Sequence, residues 1–198
     1  MSRYGAGMAA GDRWNERYAE SFEPFPDAPA PWLVEHGDLL TGPGRALDVA
    51  CGDGRNALYL ARRGYTVDAI DASSVAIGAL RSAARERDLA IRPRVVDLER
   101  EPLPDGPYDV IVTLNFLRRD LFGALQEALA PGGLLLYETL GQAHVAQLGR
   151  SFNPAYLLED GELLRAFDRL EVVDHFEGVA ERSGGPRGVG SLVARRPT

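Results

Sequence analysis

Gly52-Asp53-Gly54 interrupts an apolar run at 46–50 and leads straight into Arg55-Asn56-Ala57-Leu58. A strand that turns through glycine into a helix sets bare backbone against a ligand, because no Cβ holds the ligand off. Gly52, Gly54 and Ala57 have the G-x-G-x-x-A spacing of a dinucleotide site, and Asp71 stands 19 residues beyond Gly52. An acid at that place can accept hydrogen bonds from ribose hydroxyls. Asp48 separates two chemistries. A pyrophosphate lying over the loop would be repelled by a carboxylate at the end of the same strand. S-adenosylmethionine (SAM) has no phosphate and presents an ammonium and a sulfonium there, so Asp48 favours SAM over a nicotinamide cofactor. Cys51, the single cysteine, reads as a small buried residue beneath the turn rather than a nucleophile.

These groups need a scaffold, and the sequence supplies one from residue 45 onward. Strand-like runs at 46–50, 66–71, 91–98, 108–114 and 134–140 alternate with helical patterns. The helices are expected at 55–63, from a Ser73 or Ser74 cap through Ala84, and at 121–129, where Pro131-Gly132-Gly133 ends the last. Such alternation means a parallel sheet covered on both faces. After a helix around 162–167, two β-rich runs at 170–180 and 189–195 flank Ser183-Gly184-Gly185-Pro186, which predicts an antiparallel hairpin. The fold class is therefore α/β, doubly wound, with a mostly parallel seven-stranded sheet and a C-terminal antiparallel hairpin. Ahead of this core, residues 1–11 are small and glycine-rich, 12–20 suit a helix capped by Asp12, 22–31 hold four prolines, and 32–40 suit a second helix. One domain is expected over 1–198, with 1–43 as an N-terminal helical lid and 44–198 as the catalytic core.

LDVACGDGRNALYLA (47–61) resembles the first motif of class I SAM-dependent methyltransferases, particularly the tellurite-resistance (TehB-like) branch. The likeness continues in VDAIDAS (67–73), VVDLE (95–99), LNFLRRDL (114–121) and LAPGGLLLYETL (129–140). It implies a Rossmann-like fold, SAM as cofactor and S-adenosylhomocysteine as product. It also assigns roles. Asp71 with Ala72 would meet the ribose, and Asp97 with Leu98 the adenine. Asp48, Ala50, Gly52 and Gly54 would hold the methionine part, while Asn115 and Phe116 would lie under the transferred methyl. Asn56 stands where many relatives have a third glycine, and the Arg55-Asn56 pair fits the TehB-like branch.

The acceptor must be inferred from what surrounds the core. The segments 1–43 and 141–159 are short, which favours a small molecule over a protein or nucleic acid. Arg118, Arg119 and Arg150 would suit an anionic one, although each could equally be solvated. Arg118 is placed beside Asn115 and Phe116 as a catalytic candidate. Trp14 and Tyr18 lie four apart, share one helix face, and are expected to close over the cofactor; docking on the outer surface is the alternative. His144 follows the fifth strand within reach of the site, whereas His36 and His175 show no partner spacing. A net charge of −7 argues against a nucleic-acid partner. No metal-ligand cluster and no apolar span or leader appears, so a cytoplasmic protein, monomer or homodimer, is expected. A non-catalytic SAM-binding protein and a nicotinamide-dependent oxidoreductase remain the alternatives.

Overall fold

The structure, a computed structural model, describes residues 9–20, 28–182 and 184–198. The glycine-rich start at 1–8, the proline-rich stretch at 21–27 and Ser183 of the expected turn lie outside the described residues. Seven strands form one sheet: β1 (Gly44–Val49), β2 (Tyr65–Asp71), β3 (Ile91–Val95), β4 (Tyr108–Leu114), β5 (Leu129–Leu140), β6 (Glu171–Arg182) and β7 (Gly185–Arg195). Their order is β3-β2-β1-β4-β5-β7-β6. The first five run parallel, and β7 is antiparallel to both β5 and β6. The chain winds outward from β1 to β3 and then returns to β4 on the other side of β1. The strand order reverses there, and the crevice at the carboxyl ends of β1 and β4 is where such sheets bind ligands.

The central strands are apolar on both faces because both faces are covered. Ala46, Val110, Val112 and Leu136 pack with Trp32 and Leu33 of α2 (Pro31–Glu35), Leu58 and Leu60 of α3 (Arg55–Arg62), and Ile77 and Leu80 of α4 (Ser74–Glu86). On the opposite face Leu47, Ile111 and Leu135 meet Phe122 and Leu125 from the helix Phe122–Ala128, with Leu163 from the helix Glu162–Ala166 and Phe167 just beyond it. Phe122, Tyr137 and Phe167 form a ring cluster with centroids 5.1–5.8 Å apart. The α/β doubly wound reading and the C-terminal hairpin are borne out.

Besides β7, which begins at Gly185 rather than 189 and takes in part of the expected turn, four boundaries differ from the sequence expectation, each for a local reason. The third strand stops at Val95 rather than 98, because the Asp97 carboxylate accepts from the Glu99 amide at 3.0 Å and turns the chain. The fifth strand begins at Leu129. Tyr108 pairs with Leu129 and Val110 with Leu134, so Pro131, Gly132 and Gly133 bulge out of the strand instead of preceding it. The expected helix at 32–40 is one turn, α2, followed by a 3-10 turn at Gly37–Leu39. Gly37 lies against the Tyr59 hydroxyl and the Arg63 guanidinium, where a Cβ would come within 2.6 and 2.7 Å of them. The first helix, α1 (Ala10–Glu20), starts ahead of Asp12, which sits in its first turn rather than at its cap.

Candidate active site

The glycine loop is built by backbone twist. Ala50 (φ +53°), Gly52 (φ +53°) and Gly54 (φ +82°) all occupy the left-handed region, which costs a non-glycine residue such as Ala50 about 1–2 kcal/mol. A Cβ at Gly54 would strike Leu80 and one at Gly52 would strike the Tyr18 hydroxyl. Asp71 closes β2, and its two oxygens accept from the Gly52 amide and the Ser73 amide, each at 2.8 Å. It therefore ties the loop to the start of α4 and still has lone pairs free. Burial raises its pKa against the pull of those two amides.

Asp48 is the anomaly of the site. It is 1% exposed, and its Oδ2 has no hydrogen-bond partner among the described residues. Burial pushes its pKa up to about 8, with Asp53 and Asp71 adding repulsion and the Ala57 amide opposing it. A buried acceptor without a donor is a costly feature, and the group that would relieve it is a cation or donor brought by a ligand. The ammonium of SAM fits that requirement and a phosphate does not. Cys51 is buried and its thiol is pushed up by burial and by Asp48, Asp71 and Asp53, so it is a packed residue and not a thiolate nucleophile.

α1 docks over this loop. The half-buried Tyr18 places its hydroxyl against Gly52, and burial next to Asp71 and Asp53 raises its pKa, keeping the hydroxyl a neutral donor. Trp14 packs on Tyr18 at 6.2 Å and under the Arg17 guanidinium at 5.1 Å, while remaining 40% exposed. Two other residues proposed to meet the cofactor also hold neighbouring parts of the chain. Asn56 is buried and its side-chain oxygen accepts from the Ala30 amide at 2.9 Å, which fastens the segment before α2. Asp97, two residues beyond β3, is held by the Glu99 amide and by Arg100 at 3.6 Å; Leu98 beside it is buried.

At the other end of the crevice, Asn115 follows β4 with φ +59°. Its amide donates to the Glu138 carbonyl at 2.8 Å, and its side-chain oxygen accepts from Arg187 at 3.2 Å. Phe116 rests on the second core cluster, and its carbonyl accepts from the Tyr137 hydroxyl at 2.8 Å. Arg118 makes two 2.8 Å bonds to Asp120. Arg119 is a structural staple: it grips Glu162 at 2.6 and 2.9 Å and also donates to the Ala155 and Leu157 carbonyls. Arg150 and Arg187 have no acid within salt-bridge distance among the described residues; their recorded bonds go to the Pro186 carbonyl and to Asn115. Both lie near His144 of the short helix Ala143–Ala146, whose Nδ1 accepts from the Gly188 amide at 3.3 Å. Burial, then Arg150 and Arg187, lower the pKa of that imidazole. Arg187 escaped the sequence reading, because its place depends on β7 starting at the carboxyl end of β5. His36 bonds the Trp32 carbonyl and Asp174, and His175 bonds Glu177, both away from the crevice.

Residues 46–133 match the family model described as a methyltransferase domain. Over that stretch the chain is similar to methyltransferase domains. SAM is the cofactor that this likeness implies, and its ammonium would meet the orphan oxygen of Asp48. Curated proteins to which the chain is similar include two O-methyltransferases. A ubiquinone biosynthesis O-methyltransferase of Caulobacter sp. (strain K31) is 32% identical over 120 residues, which is 58% of this chain and 48% of that protein. A malonyl-[acyl-carrier protein] O-methyltransferase of Serratia marcescens is 32% identical over 147 residues, 69% and 54% of the two chains. The chain thus spans about half the length of these curated relatives. Among solved structures, TehB from Haemophilus influenzae superposes with a TM-score of 0.75 at 21% identity, covering 92% of this chain and 67% of that one. The fold of the chain is therefore Rossmann-like. Among the described residues no helix is long and apolar enough to cross a membrane.

Proposed function

We propose that this chain transfers the methyl group of SAM to a small acceptor that carries negative charge. The observation that carries the reading is the division of charge along one crevice. At the β1–β2 end stand Asp48, Asp53 and Asp71, all with pKa values raised by burial. At the β4–β5–β7 end stand Arg150 and Arg187, whose recorded bonds go only to neutral oxygens. The first end suits a ligand bearing an ammonium and a sulfonium; the second suits an anion.

SAM, when bound, supplies a methyl group on a sulfonium, open to direct displacement. The chain's own work is placement and exclusion of water. Asp48 would accept from the ammonium and Asp71 from the ribose, with Ala50, Gly52 and Gly54 giving backbone room. Residues 1–43 would act as a lid on the 44–198 core, with Trp14 and Tyr18 closing over the loop. Arg187 and Arg150 would orient the acceptor above Asn115 and Phe116. An acceptor that is already ionised needs no base, which suits a His144 whose Nδ1 is taken by Gly188. The neutral Nε2–H that remains is a donor.

Transfer of tritiated methyl across a panel of small carboxylates, phenols, inorganic oxyanions, amines and polymers tests this reading. Anionic acceptors are expected to be labelled. Arg187→Ala is expected to raise their KM about tenfold, the value of roughly one charged hydrogen bond, while leaving SAM affinity as it was. Labelling of amines or polymers alone would contradict the proposal.

A further inference from the structure

Among the contacts that hold α1 against α4, one polar cluster centres on a single residue. The side-chain oxygen of Asn15 accepts from the Ser73 hydroxyl at 2.8 Å, the Val75 amide at 3.2 Å and the Ser74 hydroxyl at 3.4 Å. Its amide nitrogen lies 3.2 Å from the Ser74 hydroxyl as a donor. Asn15 thus sits as a second cap on α4, beside Ser73, whose own hydroxyl accepts from the Ala76 amide at 3.1 Å. Gly11, one turn earlier, lets the two backbones meet: a Cβ there would come 2.9 Å from the Ala72 carbonyl oxygen.

Those same residues belong to the cofactor site. Ser73 is fully buried and its amide donates to Asp71, which also holds Gly52. Gly52 lies under Tyr18, which shares a face of α1 with Asn15 three residues earlier. The connections form a closed ring: Gly52, Asp71, Ser73, Asn15, and back through α1 to Tyr18. An 11-residue helix is marginal in isolation, so α1 depends on being docked. An ion pair reaching out from it, Arg13 to Glu99 at 3.0 Å, is 32% and 56% exposed at its two side chains and holds weakly.

We propose that Asn15 is the latch of the lid, a positioning residue that couples occupancy of the Asp71 end of the cofactor site to docking of α1. The proposal rests on the lid reading above. It differs from a general packing role because it assigns the effect to an acceptor oxygen at residue 15. Asn15→Ala removes that oxygen, and Asn15→Asp keeps it and adds charge where a helix N-terminus favours it.

The test is calorimetry of S-adenosylhomocysteine binding to the full chain, together with trypsin cleavage after Arg13 and Arg17. Asn15→Ala is expected to weaken binding about tenfold and to remove the protection that the ligand gives against trypsin. Asn15→Asp is expected to stay within about threefold of the parent and to keep the protection. Neither is expected to move the melting temperature of the unliganded protein by more than about 2 °C. Parent-like binding by Asn15→Ala, or equal losses in both variants, overturns the latch. Cleavage of the parent at the same rate with and without ligand overturns the lid reading itself and the latch with it.

Discussion

Asp48→Asn is expected to stabilise the unliganded protein and to weaken SAM binding at the same time. The two effects share one cause, a carboxylate buried without a partner for one of its oxygens. Its pKa is raised from an unfolded value of 3.8 to about 8, so folding favours its protonated form. The stability that follows is fully present below about pH 4 and is lost as pH rises through about 8, at close to 1.4 kcal/mol per unit from this group. Asn cannot ionise and removes that slope. At pH 8 the variant should therefore melt several degrees above the parent, since 1 kcal/mol is worth roughly 2–4 °C in a domain of this size. The bound ammonium reverses the sign, because it needs the ionised form. SAM affinity in the parent should rise with pH toward 8 with release of a proton, and Asp48→Asn should lose about tenfold to a hundredfold. Melting curves from pH 5 to 9 and calorimetry in buffers of different ionisation enthalpy measure both. A variant that melts lower than the parent and binds SAM equally well would contradict this account of Asp48.

Asp71→Ala is expected to cost both affinity and stability. Read from sequence, Asp71 has a ligand to meet and nothing else to hold, which predicts an intact fold. The structure corrects that expectation, because Asp71 accepts from the Gly52 and Ser73 amides. Alanine would leave two amides unpaired at about 1–3 kcal/mol each and would also remove the ribose acceptor. Binding should fall by at least tenfold, and the unliganded melting temperature should drop by about 5 °C or more. Calorimetry and thermal melts of the same preparation check the pair of effects. Unchanged affinity with a lowered melting temperature would reduce Asp71 to a brace.

The cofactor end of the crevice was legible because it is local. Asp48, the glycine turn and Asp71 sit on adjacent parallel strands whose register, Asp48 opposite Ala69 and Val49 opposite Ile70, follows from a single strand–helix–strand unit. The sheet was legible for a related reason: strands covered on both faces leave unbroken apolar runs. The acceptor end is assembled from distant parts, and there the sequence misled. Arg119 looks available beside Phe116, yet its partner Glu162 is 43 residues away. Arg187 falls between the expected turn and the last strand-like run, and only the insertion of β7 between β5 and β6 brings it to Asn115. Asn56 announces a departure from glycine, but its partner Ala30 lies in a stretch without periodicity. At Asp97 the apolar run misplaced the strand end, because a side-chain turn overrides the pattern.

The crevice at the ends of β1 and β2 is expected to bind SAM and not a dinucleotide. Thermal melting with saturating SAM, S-adenosylhomocysteine or NAD tests it without knowledge of the acceptor. A ligand at 100 times its dissociation constant adds about 2.7 kcal/mol, a rise of roughly 5–11 °C for a domain of this size. SAM and S-adenosylhomocysteine are each expected to give that rise and NAD none. A comparable rise with NAD and none with SAM would contradict the account.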